Sequence, residues 1–226
     1  DLYRAHGADL VAGKDSLTAW LLVADGIADR RLEELLSEVP LVGEGARRKE
    51  RKRLLEAARA FVAYDWKGRA GRRFVGVELP FGERVPLVLP AGGETLHLRG
   101  YLDRVDVEGD AALVRDVKSG KPHLRRGEEA GPVARIDVQI GVYALAARAL
   151  AAAWGTPRTV IAAYAYASGR GEVEERAFRG DAGTLERATE EWLATSAQLL
   201  ASRAFPPAPD EDDCGYCPFR PLCGSE

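Results

Sequence analysis

The chain has 226 residues, 46% hydrophobic and 30% charged, with a net charge of -3. That is enough to bury the core of one sizeable domain with small appendages. Charge interrupts every long apolar run, which excludes a twenty-residue lipid-facing span, and no secretory signal is read; the expected setting is cytoplasmic. The slight acidity neither favours nor excludes nucleic acid as a partner.

The first seventy residues form an expected helical segment, although 1–26 taken alone is ambiguous. Asp15-Ser16-Leu17-Thr18 has the form of a helix start, followed by Trp20, Leu21, Leu22 and Val23. Residues 27–39 form a second periodic run with Leu32, Leu35, Leu36 and Val39 on one stripe, and 40–45 break it. A longer helix over 46–64 packs Leu54, Leu55, Ala58, Phe61 and Val62. Its basic run, Arg47 to Arg53, either lies in water or follows a phosphate backbone. His6 is a candidate general base or metal ligand, with a terminal surface residue as the simpler alternative. The chain opens at Asp1 in mid-pattern, so segment 1–70 is expected to continue upstream in a longer polypeptide.

Strands follow a basic loop at 67–73. Residues 72–80 alternate and end near Glu78, a third carboxylate for a site or else an edge-strand charge. Runs 83–89, 94–107 and 111–117 complete an expected antiparallel meander, the second bent near Gly100. A polar loop at 121–131 carries His123, which either touches a phosphate or is simply solvated. Residues 134–154 form a central helix whose apolar face includes Ile136, Ile140, Tyr143, Leu145, Ala147 and Leu150. Gln139 and Tyr143, four apart, are neighbours on one side of it. A strand over 158–166, a partner at 171–178 and a helix over 184–203 with Leu185, Trp192, Leu193, Ala197 and Leu200 inside close the chain. The expected class is α/β, a central mixed sheet flanked by helices. Neither a GxGxxG nor a GxxxxGK[ST] loop occurs, so no dinucleotide or ATP fingerprint is present.

The chemistry concentrates between Leu98 and Gly120, where two alternating runs flank Glu108-Gly109-Asp110 as in a hairpin. Asp103 lies on the first strand, Asp116 and Lys118 on the second. Asp116 and Lys118 are two apart and share a face. Two carboxylates and an ammonium at a hairpin end suit a divalent metal, with a phosphodiester as substrate. The bare D-x-K triplet is equally compatible with a solvated edge and a surface ion pair. Asp106, three beyond Asp103, points the other way and is expected to pair structurally with Arg104 or Arg115.

In order, Gly100-Tyr101-Leu102-Asp103-Arg104-Val105-Asp106, then Asp116-Val117-Lys118-Ser119-Gly120, then Gln139-Ile140-Gly141-Val142-Tyr143 resemble the PD-(D/E)xK nuclease superfamily. The Q-x-x-x-Y piece is similar to its RecB-like branch, the nuclease domains of bacterial helicase–nucleases and related exonucleases. The resemblance implies a restriction-endonuclease-like core over 71–205, preceded by helical segment 1–70 and followed by a tail, 206–226, packed on the core. It implies that Asp103 and Asp116, with the Val117 carbonyl and Glu78, hold Mg²⁺ or Mn²⁺. Lys118 would then orient or activate the attacking water, and Gln139 and Tyr143 would position the strand or the lysine.

Cys214-x₂-Cys217-x₅-Cys223 resembles the C-terminal part of a [4Fe–4S] site in this branch. The branch's upstream cysteine has no counterpart here, which leaves a missing upstream segment, His6 or an exogenous group as the fourth ligand. The alternative is a relic with three reduced cysteines. An odd count without a secretory signal speaks against a disulfide framework. The implied activity is metal-dependent DNA hydrolysis, exonucleolytic or flap-like on single strands, in repair or recombination. A helicase or ATPase partner would supply any ATP dependence, and no membrane is involved. The rival readings are an inactive nuclease-fold DNA-binding scaffold inside such a complex, and a metalloprotein unrelated to nucleic acid.

Overall fold

The computed structural model describes residues 1–91, 93–119, 122, 138–155, 157–167, 172–178 and 182–204. His123 and every other residue of the loop at 121–131 except 122, residues 134–137 of the expected central helix, and the three cysteines of the tail lie outside the described residues.

Three helices come first: α1 (Leu2–Val11), α2 (Leu17–Glu38) and α3 (Glu44–Lys67). Ser16 starts α2 as the sequence suggests, its Oγ accepting the Ala19 N–H at 3.2 Å. The two segments expected on either side of Gly26 are one helix of 22 residues. A mid-helix glycine costs only about 1 kcal/mol, and the buried stripe Trp20, Ala24, Ala28, Leu32 runs unbroken through it. Leu35 and Val39, expected on that stripe, are exposed. Leu2, Leu10, Val11, Trp20, Ala24 and Val62 form the core of this layer, and Phe74 of the first strand packs against it. Gly7 makes that approach possible, since a Cβ there would lie 2.4 Å from the Phe74 ring.

The main sheet has the order β1-β4-β5-β6-β7, built from β1 (Arg72–Phe81), β4 (Gly100–Glu108), β5 (Ala111–Ser119), β6 (Thr159–Ala167) and β7 (Val173–Ala177). Only β5 and β6 are parallel. Their crossover contains α4 (Val138–Leu150) and a 3₁₀ turn (Ala151–Trp154), the connection a parallel pair requires. The fold is therefore a mixed five-stranded sheet flanked by helices.

The expected meander is corrected in one respect. Between β1 and β4 the chain leaves the sheet and forms a separate hairpin, β2 (Leu87–Ala91) with β3 (Glu94–Leu98). Leu87 and Leu89 are drawn into the main apolar cluster, with Leu96 and Leu98 packed against it. Gly82, at φ 80°, sits where a Cβ would lie 1.9 Å from the Leu98 carbonyl oxygen. Only glycine lets the two ends of this excursion close.

The sheet's two faces are chemically different. Val105, Val114, Val160 and Ala162 meet Ile140, Tyr143, Ala144 and Ala147 of α4 in the apolar core. The last helix, α5 (Ala182–Ala201), packs on α4 and β2 and contributes Leu185 and Leu193, while Trp192 and Leu200, expected inside, are exposed.

The other face carries Arg104, Asp106 and Arg115, all almost fully buried. Asp106 accepts from Arg104 Nε and Arg115 Nη1, each at 2.9 Å, so the expected structural pairing involves both arginines. Arg104 also bonds Asp65 of α3, which Tyr3 of α1 contacts as well. Arg115 Nε reaches Glu175 of β7 at 2.8 Å, and the Tyr64 hydroxyl donates to the same carboxylate at 2.9 Å. Burial works against the charge of Arg104, yet the Asp65 and Asp106 carboxylates hold it more firmly protonated than an ordinary guanidinium. Burial, reinforced by Glu175, pushes the Tyr64 phenol up to about 12.

Removing one partner from this network leaves a buried charge uncompensated. Asp106→Ala and Arg104→Met are each expected to lower the unfolding free energy by about 3–5 kcal/mol. Denaturant unfolding checks this, with Arg51→Ala, which breaks an exposed pair with Asp29, expected to leave the midpoint nearly unchanged.

Candidate active site

The turn Glu108-Gly109-Asp110 joins β4 to β5, with Gly109 at φ 58°, a value the hairpin turn favours. The ladder runs to Arg104↔Arg115, so Asp103 and Asp116 stand opposite one another one step further on. There the backbone ladder gives way to side chains. Asp103 Oδ2 accepts the Val117 N–H at 3.0 Å, and Oδ1 accepts the Tyr143 hydroxyl at 2.9 Å. Asp116 Oδ1 accepts Gln139 Nε2 at 2.8 Å, while Gln139 Oε1 accepts Lys118 Nζ at 3.0 Å. Lys118 Nζ also lies 2.6 Å from Asp116 Oδ2. That contact is an ion pair to a buried oxygen.

The packing of α4 on β5 and β6 thus brings Gln139 onto Asp116 and Tyr143 onto Asp103, with Tyr143 also in reach of Asp116. Asp116 is only 2% exposed. Burial raises its carboxyl above the ordinary aspartate range, against the pull of the Lys118 and Tyr143 contacts; the neighbouring Asp103 charge adds to the rise. Tyr143 is also raised, first by burial and then by its bond to Asp103. It therefore stays a hydroxyl donor at neutral pH.

Two carboxylates supply hard oxygen atoms to this donor set, and one oxygen of Asp116 among them is buried. The set fits Mg²⁺ or Mn²⁺ and contains neither the sulfur nor the imidazole that softer ions prefer. Among the described residues no third Asp, Glu, His or Cys joins the pair. Glu78 is exposed and paired with Arg4 of α1. Its φ of 48°, unusual for a residue with a side chain, marks a kink. On either side of that kink Val77 lines a pocket with Tyr3 and Phe61, whereas Leu79 packs on the opposite core. The structure does not bring His6 to the carboxylates either; its ring packs against Trp20, centroids 5.8 Å apart.

On the exposed face of α3 the basic run makes Arg48–Glu44, Arg51–Asp29, Lys52–Glu56 and Arg53–Glu50 pairs. One neighbour of the site escaped the sequence reading. Tyr164 stands opposite Asp116 in the parallel β5–β6 register, and Lys118 Nζ lies 5.5 Å from its ring centre. The alternation of Tyr164 and Tyr166 was visible, but not the strand beside which it would lie.

A family model described as the PD-(D/E)XK nuclease superfamily matches residues 6–224. No curated protein matches significantly. Among solved structures, one described as "Crystal structure of SSO0001" overlaps at a TM-score of 0.36 and 16% identity, covering 93% of this chain and 98% of that one. At that score the overlap adds nothing to the assignment.

The raised carboxyl of Asp116 makes stability depend on pH. A group whose folded pKa exceeds its unfolded value stabilises below the unfolded pKa and loses that contribution as pH rises through the folded one. In EDTA, Asp116→Asn is therefore expected to gain stability relative to the wild type as pH rises from 4 to 8. Denaturation midpoints across that range check it, and a flat difference would contradict the burial argument.

Proposed function

The chain belongs to the PD-(D/E)XK nuclease superfamily, whose members are generally metal-dependent nucleases, and on that premise we propose that it hydrolyses DNA phosphodiester bonds at Asp103, Asp116 and Lys118. One observation carries the reading: two carboxylates and a lysine meet at the end of the β4–β5 hairpin, each held by a hydrogen bond or ion pair from a defined neighbour. Asp103, Asp116 and the Val117 carbonyl would hold Mg²⁺ or Mn²⁺, which when bound acidifies water and screens the scissile phosphate. In the hydrolysis a water oxygen bonds to phosphorus and the ester P–O bond breaks. Lys118, at the open edge of the site with its side chain 37% exposed, places an ammonium against the negative charge that builds on the phosphoryl oxygens. Gln139 fixes Asp116 and Lys118 relative to each other, and Tyr143 fixes Asp103.

The RecB-like branch is supported by the Gln139/Tyr143 pair and its two contacts. With it come single-stranded DNA as substrate, exonucleolytic or flap-type action in repair or recombination, a helicase or ATPase partner and a cytoplasmic setting. Among the described residues no helix is long and apolar enough to cross a membrane. The proposed organisation is a helical segment 1–70, a nuclease core 71–205 and a tail 206–226. The buried Asp65–Arg104 pair ties the first of these to the second. Cys214, Cys217 and Cys223 enter as [4Fe–4S] ligands on their spacing alone. Glu78 enters as a further carboxylate only if it exchanges its Arg4 partner.

The test is cleavage of end-labelled single- and double-stranded DNA with Mg²⁺ or Mn²⁺ and with EDTA, after anaerobic purification and an absorption spectrum. Asp116→Asn and Lys118→Ala are each expected to reduce cleavage about a thousandfold or more. Tyr143→Phe, which removes one hydrogen bond to a charged group, is expected to cost about 10- to 100-fold. Tight DNA binding without cleavage would favour the scaffold reading, and a folded protein that neither binds nor cleaves DNA would refute the proposal. A spectrum without visible sulfur-to-iron absorption would remove the cluster.

A further inference from the structure

Each carboxylate oxygen of the site already faces a donor or a cation supplied by the chain. Three of the four accept hydrogen bonds, from Tyr143, Val117 N–H and Gln139 Nε2. The fourth, Asp116 Oδ2, is buried and lies 2.6 Å from the Lys118 ammonium. The same ammonium touches the amide oxygen of Gln139 at 3.0 Å. Gln139 is thereby oriented from both ends, its nitrogen toward the anion and its oxygen toward the cation. What holds Lys118 is one carboxylate oxygen and one neutral amide oxygen, hard donors of the kind a divalent cation selects. Asp116 is fixed by burial, whereas Lys118 reaches in from a partly exposed position on the same strand and can leave.

We propose that Lys118 is the resident counter-ion of the metal site, its ammonium standing beside Asp116 Oδ2 where a divalent cation binds, so that metal loading and lysine release are one exchange. The inference rests on reading Asp103 and Asp116 as metal ligands. It has two consequences. The site binds metal more weakly than its two carboxylates alone would allow, because the incoming ion displaces a cation rather than water. And the Lys118 ammonium becomes free to meet a phosphate only after the metal has taken its place, so an unloaded site keeps its lysine tied to Asp116 and Gln139.

Titration calorimetry of the full chain with Mn²⁺, without nucleic acid, reads this directly. Lys118→Met, and Lys118→Gln as a second variant of different shape, are each expected to bind Mn²⁺ about tenfold tighter or more, since a unit charge in contact with the carboxylate is removed. Repulsion at a distance would also tighten binding, so the exchange itself needs a second reading. Labelling of the wild-type Lys118 amine by an acylating reagent, followed by mass spectrometry, is expected to rise severalfold at saturating Ca²⁺ and in metal-free Asp116→Asn. Equal Mn²⁺ affinity in wild type and both lysine variants, or labelling that ignores Ca²⁺, overturns the inference and leaves the metal site standing. Mn²⁺ uptake untouched by Asp103→Asn and Asp116→Asn overturns the metal-site reading and this inference with it.

Discussion

A charged side chain on a fully covered strand has to find its partner inside the protein, and β4 and β5 carry three such side chains within twelve residues. Arg104, Asp106 and Arg115 cannot be solvated where they stand, so their mutual pairing and the reach to Asp65 and Glu175 select the arrangement of everything around them. Arg104 and Arg115 are directly opposed in the hairpin ladder, and Asp106 between them removes the like-charge penalty that opposition would carry. A slip of one residue would send all three to the apolar face and the valines to the ionic one. Asp65 and Glu175 then tie α3 and β7 to the same centre.

The site lies one step along the same strands, on the other face. Asp103 neighbours Arg104, and Asp116 neighbours Arg115, so the alternation that sends the arginines into the ionic network sends the two aspartates toward α4. The register that neutralises one face thereby aligns the carboxylates on the other. At this end of the hairpin Asp103 takes the Val117 N–H that a ladder partner would otherwise occupy. The site is held by hydrogen bonds and by the Lys118–Asp116 ion pair, which reaches a buried carboxylate oxygen.

Local features were legible where the signal is contained in a few residues. Ser16 announced a helix start and caps it; Glu108-Gly109-Asp110 announced a hairpin; the four-residue spacing of Gln139 and Tyr143 put both on one side of α4. The opposite parity of Asp106 foretold its arginine partners. Other features rest on contacts that no short window contains. The segment between β1 and β4 alternates as a sheet strand would, but its leucines are satisfied by the core beneath α4 and α5. Glu78 occupies the expected place in sequence, yet a backbone kink leaves its carboxylate paired with Arg4. The basic run on α3 looked like one block of charge until acidic partners from α2 and from its own helix were placed beside it.

By itself the sequence determined the hairpin turn at Gly109, the face on which Asp116 and Lys118 project and the family pattern, because each depends on spacing over a short stretch of chain. Only the tertiary structure decided which strands are neighbours, that Tyr164 stands beside Asp116, that α4 lays Gln139 on Asp116 and Tyr143 on Asp103, and that Asp65 and Glu175 complete the ionic centre. Those are contacts between residues far apart in the chain. They depend on packing and on the burial of charge, which no local pattern encodes.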